Sequence, residues 1–425
     1  MNQESYKYLT VTFLALLLLV SGLAGYLALQ LQTTGSPASP PKEIAFGCAL
    51  PLSGDLAVFG KQVLQAYQYW VDEMNEAGGL YLADYGVKVP LRLVYYDDKG
   101  DPETTAKLYE RLCTDDGVDM VFGPWGSARS FAACPVIEKH KKPMVLAFMS
   151  SEDGYKLGYQ FVFNFMVIVR YHGQYAFLNA ILSLSPKPKT AAIVSPQELF
   201  PITSMQSAKK QLEANGVEVV LYQEYPKGTT DFSDVITQMK TLNPDILLSG
   251  GFPAEFTAML IQMEEYGWRP KAMYNSDVAR FQEWITEMGE TGEGVCSNEE
   301  SFDWNDAEYL SVKEGIMQKF DLTEAEYSPA YHATAWGACQ VMKEAIEVAG
   351  SIDGDEVRRV LEAIYVDTIV YPYKVTDVED LHNINTYASM GSTQIQNING
   401  IWRAVRIYPF EVADGEPLYP LEPWS

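Results

Sequence analysis

The residues best suited to chemistry in this sequence are serines and glycines at the ends of apolar runs. The string Gly123-Pro124-Trp125-Gly126-Ser127 separates a strand-like run from a helical one and puts Ser127 at the helix N-cap. A helix start presents N–H groups with no intrahelical acceptor and partial positive charge, and glycine lets backbone approach a ligand. A carboxylate is held there without Lys or Arg. Ser150 and Ser151, ahead of Glu152, offer the same chemistry at the end of the next apolar run. Capping of their own helices is the competing use of these hydroxyls, and both uses stand at this level.

Other motif-like strings do not carry chemistry. Gly54 and Gly60-Lys61-Gln62 resemble a phosphate-binding loop, but the spacing is one residue too long and Gln62 replaces the required Ser or Thr. Asp97-Asp98 lacks the further ligands a metal needs and reads as a solvated turn. His332 sits in a helical stretch as a packed core histidine, since no Ser or Cys nucleophile with a supporting acid can be assigned around it. There is no G-x-S-x-G elbow. Cys48, Cys113, Cys134, Cys296 and Cys339 are scattered without a C-x-x-C pair, and a zinc site is not expected. These observations give no enzyme, no cofactor and no metal. Cys113 with Cys134 is the pair to test for a disulfide; free buried thiols are the simpler expectation.

The chain has 425 residues with 31 Lys and Arg against 56 Asp and Glu, a net charge of −25. That balance opposes nucleic-acid binding, which needs cations along the phosphates. The run from Leu9 to Leu31 is uncharged and long enough to span hydrocarbon. It reads as a signal anchor, with a cleaved signal peptide as the alternative. Residues 32–43 form a Pro/Ser/Thr-rich linker, so the body from about Lys42 onward is expected outside the cytoplasm.

Strand-length apolar runs begin at Ile44, Val89, Val118, Pro143, Thr190, Val217 and Asp245, with amphipathic helical stretches between them. Lys61–Ala77 is one such helix, stopped by Gly78-Gly79; Pro102 and Pro253 open others, and Asp231 caps another. This alternation predicts an α/β fold with two doubly wound parallel-sheet domains in tandem. Asn399-Gly400 marks a hairpin near the C-terminus. In such sheets ligands bind beyond the carboxyl ends of the strands, where the serine-bearing loops lie.

The order PLSGDLAVFG, NEAGGL, LVYYDDKGDPETTA, DDGVDMVFGPWGS, PMVLAFMSS and GTTDFSDVITQMKTLNPDILLSGG resembles the type I periplasmic binding proteins of ABC importers, in the branched-chain amino-acid and amide group. The resemblance implies two Venus-flytrap lobes joined by a multi-segment hinge, residues 44–169 with 299–390 and residues 170–298 with 391–425. It implies a monomer that binds a small carboxylate-bearing molecule by lobe closure and hands it to a membrane permease. A sensor ectodomain acting in trans on a signalling partner is the alternative. Carried over position by position, Ser127 receives the ligand carboxylate, Met149 contributes a backbone N–H and Ser151 a hydroxyl. Phe59 and Phe252 line the two lobes, and Trp125 makes the carboxylate loop bulkier. Asp277 is the candidate partner of a ligand ammonium, with Ser276 equally placed; if Ser276 holds that position, the ligand lacks a cationic amine.

Overall fold

The computed structural model describes residues 39–300 and 305–424. It begins with β1 (Ile44–Leu50), buried along its whole length, as a strand covered on both faces must be. Helix α1 (Ala57–Glu76) starts before the expected Lys61 and stops at Gly78 and Gly79, both at positive φ. After the short hairpin β2 (Leu80–Leu82) and β3 (Val87–Val89) come β4 (Leu91–Asp97), α2 (Pro102–Thr114), β5 (Met120–Val121) and α3 (Ser127–His140). The strands β4, β1 and β5 pair in that order, all parallel. A parallel pair, β6 (Met144–Leu146) and β7 (Val162–Asn164), completes this body. Asp101 caps α2 by accepting the Thr104 N–H at 2.7 Å, and Pro102 occupies its first turn.

The chain then crosses to a second sheet. Its elements are α4 (Gly173–Leu182), β8 (Thr190–Pro196), α5 (Leu199–Ala214), β9 (Glu218–Tyr225), α6 (Ser233–Leu242), β10 (Ile246–Ser249), α7 (Pro253–Glu265), β11 (Ala272–Asn275), α8 (Gln282–Gly292) and β12 (Val295–Glu300). Helices α9 (Ala307–Phe320), α10 (Thr334–Ala349) and α11 (Gly354–Ala363) return to the first core, followed by the β13 (Val375–Val378) and β14 (Leu381–Asn385) hairpin. Last come β15 (Met390–Ile398) and β16 (Ile401–Tyr408), which close the second sheet in the order β16-β15-β12-β11-β10-β8-β9. Asn399 and Gly400 join them, both at positive φ as a tight hairpin turn requires. The chain therefore passes between the bodies after β7, after β12 and after β14. The second sheet extends to Glu300 and resumes at Met390, slightly beyond the expected 298/299 and 390/391 boundaries.

Where local detail differs from expectation, backbone geometry gives the reason. Phe232, not Asp231, is the cap residue of α6; the Asp231 carboxylate still accepts the Ser233 N–H at 3.0 Å. Gly126, not Ser127, caps α3, because its φ of 86° and ψ of 147° are open only to glycine, and Ser127 becomes the first helical residue. All five cysteines are free, Cys113 and Cys134 included. No described helix is long and apolar enough to cross a membrane, and the Leu9–Leu31 run lies outside the described residues.

The first core holds the strand end that carries Trp125. Phe122 stacks on Phe46 at 4.6 Å and on Tyr67 at 4.3 Å, and the Tyr67 hydroxyl donates to the Gly123 carbonyl at 3.1 Å. His332, in a π-turn over Pro329–Ala333, is packed in the same core. Its Nδ1 accepts the Ser328 N–H at 3.1 Å and its Nε2 lies 2.9 Å from Gln65 Oε1, an arrangement that suits the neutral ring. Burial pushes its pKa down to about 4. The unfolded chain takes up this proton near pH 6.5 and the folded one only near pH 4, so stability falls as pH drops through that window. We expect His332→Asn, which keeps an acceptor for Ser328, to flatten the fall in urea-unfolding free energy between pH 6.5 and 4 by roughly 1.4 kcal/mol per pH unit. Parallel pH profiles for the two proteins would contradict this assignment.

Candidate ligand-binding cleft

Between the two bodies lies a cavity with about 530 Å³ of empty space, part of it open to solvent. From the first body Trp125, Gly126, Ser127 and Arg129 line it at the start of α3, and Phe148 and Ser150 line it beyond β6. Ser127 is buried, and its Oγ accepts the Ser151 N–H at 3.2 Å. With a lone pair so engaged, its own O–H remains to donate. Ser150 Oγ is buried without a partner. The two serine loops therefore meet, with Ser127 and Ser150 on the cavity wall and Ser151 behind them. Phe59 also stands behind the wall, stacked on Trp125 at 4.3 Å and 2° and edge-on to Tyr331 at 5.3 Å. Met149 packs into the core beneath, its carbonyl accepting from the Tyr155 hydroxyl at 3.0 Å.

The second body supplies Phe252, the cap residue of α7, and Asp277 after β11. Asn275 shapes that loop: its Oδ1 accepts the Asp277 and Val278 N–H groups at 3.0 and 3.2 Å, and its Nδ2 donates to the Gly251 carbonyl at 2.7 Å. Asp277 faces the cavity, whereas Ser276 supports it from behind, donating to Asp277 Oδ2 at 3.1 Å. The Tyr331 hydroxyl donates to Asp277 Oδ1 at 3.3 Å, joining the bodies.

The charged groups of the cleft went unseen in the sequence apart from Asp277. Arg129 is buried; its Nε donates to the Trp125 carbonyl at 2.7 Å, its Nη1 to Gly100 at 3.0 Å and its Nη2 to Glu198 of the second body at 2.9 Å. Arg280 lies between Glu300, at 2.6 Å, and Asp277, at 3.5 Å. Burial works against the Arg280 charge, but Glu300, Tyr331 and Asp277 hold its pKa above the ordinary value. Burial likewise pushes Glu300 up, with Arg280 pulling the other way. His172 accepts from Asn298 Nδ2 at 3.1 Å, and burial together with nearby Arg280 lowers its pKa to about 3. The one local signal is the three-residue offset of Arg280 from Asp277, a spacing that places ions together on a helical turn; no local spacing marks Arg129, whose partner Glu198 only the fold supplies.

Two wound α/β bodies joined by crossing segments, with a cavity at the strand ends between them, define a cleft-type solute-binding protein. A family model described as periplasmic binding protein matches residues 43–394. The chain belongs to the periplasmic binding proteins, with the type I fold. It is 26% identical over 317 residues to the Leu/Ile/Val-binding protein BraC3 of Rhizobium johnstonii, covering 74% of this chain and 82% of that one. The substrate-binding protein LivJ from Streptococcus pneumoniae, solved in complex with isoleucine, has a TM-score of 0.70 at 19% identity, over 86% of this chain and 100% of that one. A solute-binding protein from R. palustris, solved in complex with benzoate, has a TM-score of 0.69 at 15% identity, over 89% and 99%. The family is one of binding proteins, not of enzymes.

Gly126 ties this geometry together. A Cβ there would stand 2.3 Å from Arg129 Nη2 and would need a backbone conformation that L-residues rarely adopt. Gly126→Ala should therefore cost about 1–3 kcal/mol of stability, read from urea unfolding, by strain and by displacing Arg129. A loss below about 0.5 kcal/mol would mean that the loop relaxes freely.

Proposed function

We propose that this protein captures a small carboxylate-bearing molecule outside the cytoplasm by closing its two lobes, and delivers it to an ABC importer in the membrane. The observation that carries the reading is the serine corner of the cleft. Ser127 begins α3, takes the Ser151 N–H on its oxygen and keeps its own proton to give, while Ser150 Oγ beside it has no partner. A carboxylate placed there meets hydroxyl donors and the positive end of a helix without needing its own Lys or Arg.

The lobes are residues 44–169 with 299–390 and residues 170–298 with 391–425, give or take the strand ends at Glu300 and Met390. Ligand contacts from Phe252 and the Asp277 loop on the second lobe favour the closed form, and that differential affinity drives closure. The closed pair of lobes is the form a permease recognises, with the protein acting as a monomer. The uncharged run Leu9–Leu31 supports export, with the body either held at the membrane or released by cleavage.

A thermal-shift screen of small carboxylates supplies the probe, and titration calorimetry then compares wild type with Ser127→Ala. Loss of a hydrogen bond to a charged group should weaken binding by about 1.5–3 kcal/mol, roughly ten-fold or more. Freeing the buried Ser151 N–H should cost about 1–3 kcal/mol of stability as well. Unchanged affinity in the folded variant would remove Ser127 from the site. Small-angle scattering should show a smaller radius of gyration on saturation with that carboxylate; identical curves with and without it would rule out capture by closure.

A further inference from the structure

Beside the cleft, with Arg280, Glu300 and Ala330 as the shared wall, lies a second hollow with about 770 Å³ of empty space, part of it open to solvent. Small-molecule sites span about 300–1,000 Å³, so it has the size of one. Both bodies build it. The first contributes residues 328–330 around the π-turn, and the second contributes Arg280, Thr393 on β15 and Ala404 on β16.

Three buried polar atoms of this wall have no partner: Arg280 Nε, Ser328 Oγ and Thr393 Oγ1. Buried polar groups nearly always find partners, so three together point to something that belongs between them. Ser328 stands at the cap position ahead of the π-turn without using its hydroxyl to cap it, and it is only 2% exposed. Thr393, 6% exposed, lies in register between Ser297 and Arg406.

The charges of the wall decide what an occupant carries. Glu299 accepts from Arg406 through both oxygens at 2.8 Å, and Glu300 accepts from Arg280 at 2.6 Å. Asp414, exposed, is a third carboxylate against two arginines, and Asp277, 3.5 Å from Arg280 on the cleft side, adds to the negative balance. An anion is repelled by that surplus. A cation is drawn to it but gives Arg280 Nε no acceptor. A neutral polyhydroxyl molecule answers both demands: its oxygens accept from Arg280 Nε, its O–H groups donate to carboxylates, and its bonds with Ser328 and Thr393 run in either direction. The small side chains of Ala330 and Ala404 leave room for its C–H faces.

We propose that this hollow is a second ligand site, separate from the serine corner, that takes a small neutral polyol or monosaccharide. Its occupant meets Ser328 on one body and Thr393 on the other, and so bridges the two bodies beside the cleft.

Titration calorimetry on the full chain with xylitol, myo-inositol, glucose, ethanolamine and phosphate tests this. At least one of the polyhydroxyl probes should bind one to one with a Kd of about 1 mM or tighter, with ethanolamine and phosphate at least about ten-fold weaker. Thr393→Val and Ser328→Ala should each weaken that binding by about three- to ten-fold, the loss of one neutral hydrogen bond. Ala404→Leu, at a half-buried position, should abolish it by filling the hollow. Tightest binding by ethanolamine or phosphate would overturn the inference, and so would the absence of binding by every probe, which would leave the hollow to water. Unchanged affinity in both folded hydroxyl variants, or polyol binding that survives Ala404→Leu, would put the molecule elsewhere and overturn it as well. Where the hydroxyl variants do not fold, Ala404→Leu still decides the location. Carboxylate capture at the serine corner stands or falls on its own titrations, whichever result these probes give.

Discussion

Charge buried in the cleft must be neutralised, and this constraint governs both how the bodies meet and what they hold. Arg129 leaves the first body to pair with Glu198 on the second, and Tyr331 reaches Asp277 across the same gap. A buried pair of this kind adds little net stability, because the desolvation of both ions offsets most of their attraction. Its partial removal is another matter, since an unpaired buried ion costs several kcal/mol. The lobes therefore meet in a register that keeps every ion paired. Separation stays feasible as long as water reaches Arg129 and Glu198 together.

The same constraint explains why the serine corner is neutral. A Lys or Arg devoted to the ligand carboxylate would be a buried unpaired cation in the empty protein. Hydroxyls and the first turn of α3 carry only partial charge, and their desolvation penalty is much smaller. Ser127 accepts from Ser151, which leaves its own O–H for the anion of the proposed reading. Gly126 makes this possible by taking the cap position, which frees the Ser127 side chain from closing its own helix.

Much of the architecture was legible in the sequence because it rests on local signals. The apolar runs at Ile44, Thr190 and Asp245 became strands, Pro102 and Pro253 opened helices, and Asn399-Gly400 turned a hairpin. Strand β12 was not legible. Its sequence VCSNEE reads as a polar loop, yet every residue is buried, with Ser297 donating to the Asn275 carbonyl, Asn298 to His172, and Glu299 and Glu300 paired with Arg406 and Arg280. Its partners lie far away in the chain, so no periodicity announces it. The arginines were hidden for the same reason: an isolated Arg reads as surface, and only the fold brings Glu198 to Arg129. Among the aligned site positions, Ser127, Trp125, Phe252 and Asp277 face the cavity, while Phe59, Met149, Ser151 and Ser276 stand one layer back. A strand-end loop turns successive side chains to opposite sides, and a one-residue uncertainty in alignment moves a residue from wall to support.

The standing cross-cleft pairs also bear on how much a ligand must do. A ligand moves a two-state equilibrium only by its preference for one state, and a swing from 1:99 to 99:1 needs about 5.5 kcal/mol of that preference. Arg129 with Glu198 and Tyr331 with Asp277 already bridge the two bodies, and they favour that arrangement only by their small net worth. On the proposed reading of capture by closure, the swing that a ligand must supply is smaller to that extent. The opposite cost follows from the same arithmetic: a cleft that closes too well on its own would admit ligand slowly and present a false loaded form. Weak net pairing, in which attraction and desolvation nearly cancel, is therefore the setting that keeps the empty protein open to ligand while fixing the geometry it closes into.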